Sequence, residues 1–361
     1  VNIKGRKLVM AGLLAAASFI TGCGGSEKQA KESGVINLPE RQGRKVYFAF
    51  DDPRHDDDGT GRYRYPLSFD NREGFLDITR FTVEDGGSNV VFTISCRRPI
   101  EKYDTNGFTG PKGWWLQMLD IYIDKDGSEG RETGYLKALP GRQIEFEGKK
   151  GWEKVVLVTP NDSRIVEKIL EDRTSDMELV HQRNDIVVPH RVYPQGFTFV
   201  VYVPKHEIGA PQPGWGYQVL MTPYDSSNLS YGHFQNSKIG KFASQDKFGG
   251  GTDFDGNPNV LDMLAPTAEE QHRILSNHYS APYSGDNKFA QICFIYGEKS
   301  VSPFKAPVAV EQTHNYAPTA GGKVSEPEIS PAEKYKLNTS SENQSPMPNN
   351  NLKIHSFEGG F

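Results

Sequence analysis

The sequence predicts an all-β fold, an antiparallel β-sandwich with long loops and one or two short helices. Three observations carry that expectation. Val90, Phe92, Ile94 and Cys96 alternate with Val91, Thr93, Ser95 and Arg97, the period of two that gives a strand one buried and one wetter face. The 361 residues include 37 glycines and 23 prolines, so turn formers are abundant. Helical patterning is confined to two segments.

Taken in order, further strands are expected at 47–50, 116–123, 142–146, 155–159, 197–203, 217–221 and 289–296, most of them bounded by Gly, Pro, Asp or Asn clusters that make turns. The helices are expected at 164–172 and 267–276. In the second, Thr267 with Glu270 three residues on forms a capping box. With 36% hydrophobic residues the chain has enough apolar material for a core, placed between residues 45 and 300.

Outside that span the sequence changes character. Lys4, Arg6 and Lys7 precede an apolar run from Leu8 to Ile20, which is too short for a stable membrane span and ends at Ile20-Thr21-Gly22-Cys23. Residues 1–22 thus read as a lipoprotein signal peptide and Cys23 as the lipidated residue, where two or more acyl chains suffice for firm anchoring. Gly24 is not the Asp that retains lipoproteins in some inner membranes, which favours the outer membrane where there is one. Residues 23–44 are a polar tether. Residues 301–361, dense in Pro, Ser, Asn, Gly and Glu, are expected to be disordered because little apolar surface offsets their ordering entropy.

Loss of residues 1–22, which carry three positive and no negative charges, takes the net charge from −5 to −8. Nucleic acid is therefore a poor partner. With Cys23 lipidated, Cys96 and Cys293 are left as the one possible disulfide pair in a compartment where disulfides persist.

Several blocks carry a family resemblance when read together. They are Asp52-Pro53 with Asp56-Asp57-Asp58-Gly59-Thr60-Gly61 and Tyr65-Pro66, then Asp120-Ile121-Tyr122-Ile123-Asp124, Leu139-Pro140-Gly141-Arg142 and Gly214-Trp215-Gly216-Tyr217. The most specific are Gly249-Gly250-Gly251-Thr252-Asp253 and Pro258-Asn259-Val260-Leu261-Asp262-Met263-Leu264-Ala265-Pro266. In this order and spacing the chain resembles the C-terminal module of glucodextranase, a DOMON-like β-sandwich, over about residues 46–300. The resemblance implies a non-catalytic module that holds a glycan, an α-glucan or a cell-wall or surface polysaccharide. Two other readings stay open: a DOMON-type haem-binding electron carrier, and a structural envelope scaffold that docks protein partners.

Trp114 and Trp115 are the candidate glycan-binding residues. Adjacent rings at the entrance to an extended segment point to opposite faces, so one enters the core and the other is free to stack on a sugar ring. Calcium is the candidate cofactor, because oxygens on alternate residues of a Gly-containing loop are what it takes as ligands. Asp253, Asp255, Asn257 and Asn259 alternate around Gly256, with Asp262 close behind, and Asp124 and Asp126 precede Gly127. Neither is an EF-hand, since Tyr135 stands where the second loop would need its closing Glu, and solvated turns are the plainer reading of both. Haem is disfavoured: Met118, Met221 and His233 are the available axial ligands, and the two methionines sit in apolar strands where packing explains them. The sequence has no His-Glu-x-x-His, nucleophile elbow or phosphate loop, and Ser244 to Lys247 lacks the companion motifs of a penicillin-binding enzyme. No catalytic residue is assigned.

Overall fold

A computed structural model describes residues 34–35, 44–68, 73–103, 107, 109–127, 134–172, 182–225, 236–252, 256–279 and 287–297. The signal peptide, Cys23, most of the tether, the tail, His233, Asp253 and Asp255 lie outside the described residues. Among the described residues no helix is long and apolar enough to cross a membrane.

Two six-stranded sheets face each other. The first contains β1 (Gly34–Val35), β2 (Val46–Asp51), β3 (Ile78–Gly86), β4 (Asn89–Cys96), β9 (Arg191–Gln195) and β10 (Thr198–Pro204), in the order β1-β2-β3-β4-β10-β9, all antiparallel. The second contains β5 (Gln117–Asp124), β7 (Lys154–Val158), β8 (Ile186–Val187), β11 (Gly216–Pro223) and β12 (Asp262–Met263) in the order β12-β11-β5-β7-β8, with β14 (Ile295–Tyr296) also paired to β11. Its β7–β8 pair is parallel.

The expected alternation around Val90 is β4: Val90, Phe92, Ile94 and Cys96 enter the core between the sheets, where they meet Phe81, Phe199 and Val201 from the strands on either side. β3 escaped the period-two reading because a bulge between Ile78 and Arg80 shifts its register, so that its buried apolar residues fall at 78, 81 and 83. The expected strand at 289–296 is split. Its first part is β13 (Ala290–Ile292), parallel to β6 (Ile144–Phe146), and its second is β14.

The second sheet is buried on both faces. Leu119, Ile121 and Ile123 of β5 point into the inter-sheet core, while Met118 and Tyr122 point the other way into a second cluster with Phe146, Trp152 and Phe294. Two helices close that outer layer. α1 (Ser163–Asp172) contributes Val166 and Leu170, four residues apart on one face, and is capped by Asp162, whose Oδ1 accepts the Arg164 amide at 2.9 Å. α3 (Ala268–Ser276) contributes Ile274 and Leu275, and Thr267 caps it by accepting the Glu270 amide at 3.2 Å, as the capping-box spacing predicts. A third, one-turn helix, α2 (Lys205–Ile208), follows β10 directly.

Candidate functional site

The two sheets differ in what their outer faces meet. That of the second carries a packed layer, whereas that of the first presents polar and aromatic side chains toward its β9 edge. Val192 and Val201 face the core, so their neighbours Tyr193 and Tyr202 stand on the outer face by strand alternation. Tyr202 pairs with Arg191 in the β9–β10 register, which makes Tyr193 its diagonal neighbour. The two rings meet edge to face, 5.8 Å apart at 82°. Tyr193 is 46% exposed, Arg191 and Gln195 beside it are exposed, and Thr93 and Ser95 continue the face across β10 onto β4. Toward the middle of the sheet the face closes: Thr82, Glu84 and Val91 are buried.

At the tryptophan step one ring enters the core and the other is partly buried. Trp114 is fully buried against Phe199, with ring centroids 5.2 Å apart, and its Nε1 donates to the Gln117 carbonyl at 2.7 Å. β5 begins only at Gln117, so the two rings lie in the lead-in rather than on the pleat that would alternate them. Trp115 is partly buried and packs against the inter-sheet core.

Of the expected calcium loop, Asn257, Asn259 and Asp262 are among the described residues. Asn257 is buried, and its Oδ1 accepts both the amide and the hydroxyl of Thr252. Asn259 Oδ1 accepts the Ile239 amide at 2.9 Å, and its Nδ2 donates to the Gly141 carbonyl. These side chains fasten the loop to its surroundings. Asp262 turns away from them, toward the opposite sheet.

There it joins three aspartates that the sequence reading did not single out as ligands. Asp52 Oδ1 accepts the Ala265 amide at 2.9 Å, Asp262 Oδ2 accepts the Ile78 amide at 2.5 Å, and Asp77 Oδ2 accepts the His55 amide at 2.7 Å. Among the described residues the second oxygen of each is buried without a hydrogen-bond partner, as are both oxygens of Asp56. One oxygen from each of Asp52, Asp56 and Asp262 lies within 4.8 Å of the other two. Arg97 approaches from one side, 2.5 Å from Asp77 and 3.3 Å from Asp57. Burial first, and then repulsion from neighbouring carboxylates, pushes Asp56 up to about 8 and Asp77 up to about 7. The same two causes raise Asp262, and burial above all raises Asp52. The Asp-Asp-Asp-Gly stretch that delivers Asp56 needs its glycine: Gly59 has φ +59°, and a Cβ there would strike the Tyr63 ring.

A family model for the C-terminal binding module, SLH-like, of glucodextranase matches residues 47–291, more than half of the chain. The chain belongs to that family. Comparison with curated proteins returned no match.

Other blocks of the glucodextranase-type module prove to be structural. Arg142 of the Leu-Pro-Gly-Arg turn is wholly buried in the second layer and grips Asp120 of β5 with two bonds, Nε to Oδ2 at 2.6 Å and Nη2 to Oδ1 at 2.9 Å. Its Nη1 donates to the Pro140 carbonyl, and Tyr122 adds its hydroxyl to Asp120. Gly250 of the triple-glycine block has φ +89°, and a Cβ there would collide with the Arg62 carbonyl.

Asp124 and Asp126 do come together, joined by Glu153, with one oxygen of each within 4.8 Å of the others. Both oxygens of Asp124 are nevertheless engaged, one by the Tyr296 hydroxyl at 2.6 Å and the other by the Asp126 amide at 3.1 Å. The expected disulfide is absent. Cys96 is a free thiol inside the inter-sheet core, whereas Cys293, also free, donates to Glu147 at 2.9 Å beyond the second sheet. Met118 and Met221, the methionines available to haem, are fully buried in two different apolar clusters.

Proposed function

We propose that this module binds carbohydrate without catalysing its cleavage, and that it does so at the cell envelope, carried there by lipid on Cys23. Membership of a family of glucodextranase binding modules across nearly all of the folded part is the observation that carries the reading. The surface at the β9 edge supports it: two tyrosine rings offer an apolar platform for one face of a sugar, and Arg191, Gln195, Thr93 and Ser95 offer donors and acceptors for its hydroxyls. The clustered carboxylates of Asp52, Asp56 and Asp262 sit inside the fold, out of reach of a glycosidic bond, so these three do not form the acid and base flanking a cleft that hydrolysis requires.

The ligand is an α-glucan or an envelope polysaccharide, bound with micromolar to millimolar affinity, roughly 4 to 8 kcal/mol for one shallow site. Affinity-gel electrophoresis against a panel of both tests this, with retardation expected in at least one. Uniform mobility throughout, together with co-purification in a protein complex, would favour the scaffold reading. The anchor is tested separately: Cys23→Ser moves the protein from the membrane fraction to the soluble fraction and abolishes palmitate incorporation. Unchanged partition would refute lipidation.

A further inference from the structure

We propose that Asp52, Asp56 and Asp262, with Asp77 at their side, form a buried calcium site that ties the two sheets of the sandwich together. The geometry carries it. Calcium holds oxygens at about 2.3 to 2.6 Å, so any two of its ligands lie no more than about 5 Å apart, and the three carboxylate oxygens meet that limit. They come from distant parts of the chain: Asp52 follows β2 of the first sheet, Asp56 sits in the loop beyond it, and Asp262 opens β12 of the second.

The hydrogen bonding has the division of labour found around bound cations. Backbone amides hold one oxygen each of Asp52, Asp77 and Asp262 and thereby fix how the carboxylates point. The remaining oxygens, fully enclosed, have no hydrogen-bond partner among the described residues. An unpaired buried carboxylate oxygen is costly, and here several face one another. Arg97 is engaged by Asp57 and Asp77 and leaves the oxygens of Asp52, Asp56 and Asp262 without a counter-charge. A hard divalent cation that prefers carboxylate oxygen satisfies these groups at once.

The site also binds the fold across its seam. The Asp262 carboxylate accepts from Ile78 of the first sheet, and the Asp52 carboxylate accepts from Ala265, two residues beyond β12. Gln271 of α3 donates to the Asp56 carbonyl and accepts the Met263 amide, which braces the loop from outside. An ion at this point joins both sheets and the helix that covers one of them.

Asp56→Asn gives the sharpest test, because neither Asp56 oxygen accepts a hydrogen bond from another described residue that the substitution would break. The purified full-length protein should retain about one calcium per chain by elemental analysis after dialysis against metal-free buffer. Unfolding in chelator and refolding should remove it and lower the melting temperature by roughly 10 °C, and added calcium should restore both. Asp56→Asn should lose the ion and its calcium response, yet melt higher than the wild type when both are in chelator near neutral pH, since the ion-free wild type must bury a charge or take up a proton at Asp56 and the amide does neither. Asp126→Asn should keep the ion. The proposal is overturned if wild-type protein holds no calcium and melts identically in chelator and in millimolar calcium. It is equally overturned if Asp126→Asn abolishes binding while Asp56→Asn preserves it. Should Asp56→Asn fail to fold even in chelator, the wild-type measurements alone decide.

Discussion

Asp85 illustrates how a single side chain sets local chemistry here. Lys205 Nζ, the Tyr47 hydroxyl and the Gly87 amide all reach its carboxylate at 2.8 Å. The Lys205 bond foremost, and then those from Tyr47 and Gly87, lowers it to about 2. Because the folded protein holds this group below its unfolded value, the resulting stability is present above about pH 4 and is lost as pH falls toward 2. Asp85→Asn should therefore melt lower than wild type near neutral pH, with the gap closing through the acid range. A gap that stays constant down to about pH 2 would contradict this. The two cysteines give a second check. Burial raises both thiols, Cys293 up to about 12 with Glu147 adding to the effect. Intact-mass analysis under non-reducing conditions should find no Cys96–Cys293 bond, slow alkylation of half-buried Cys293, and modification of Cys96 only after unfolding. A mass two hydrogen atoms low and unreactive thiols would mean that the disulfide forms.

Among the elements, β5 matters most because its two faces serve different cores. One face supplies Leu119, Ile121 and Ile123 to the sandwich; the other carries Asp120, whose charge is tolerable only through Arg142. Removing one partner of such a pair leaves a buried, uncompensated charge, which typically costs about 3 to 5 kcal/mol. Arg142→Met should cost that much in denaturant melts, while Asp120→Leu combined with Arg142→Met should recover most of the loss. A single variant within about 0.5 kcal/mol of wild type would show that the pair is dispensable. Legibility also varies by element. β4 and β10 were plain in the sequence because each exposes one face, and the capping box at Thr267 named the start of α3. β3 was hidden by its bulge, and β9 by Pro194 and the exposed residues of an edge strand. The tryptophan pair lies in the lead-in to β5, where strand alternation does not yet govern the two rings.

At the scale of the molecule, the turn-rich blocks that identify the family describe how layers are joined. The Asp56 to Gly61 loop, the Leu139 to Arg142 turn and the Pro258 to Pro266 segment each bring polar groups into the interior, where they are bonded across elements. Such groups were readable as motifs but not as a site, since Asp52, Asp77 and Asp262 meet only after two sheets have formed. The polar tyrosine face was equally invisible, because β9 and β10 place Tyr193 and Tyr202 side by side through register. One layered face and one open polar face give the module a direction in which to meet a polysaccharide. Affinity-gel electrophoresis of wild type beside Tyr193→Ala/Tyr202→Ala tests that claim most directly. Retardation of the wild type by an α-glucan or envelope polysaccharide, lost in the double variant with an unchanged circular dichroism spectrum, is the predicted result. Equal retardation of the two proteins would place the binding surface elsewhere, and no retardation of either would contradict carbohydrate binding itself.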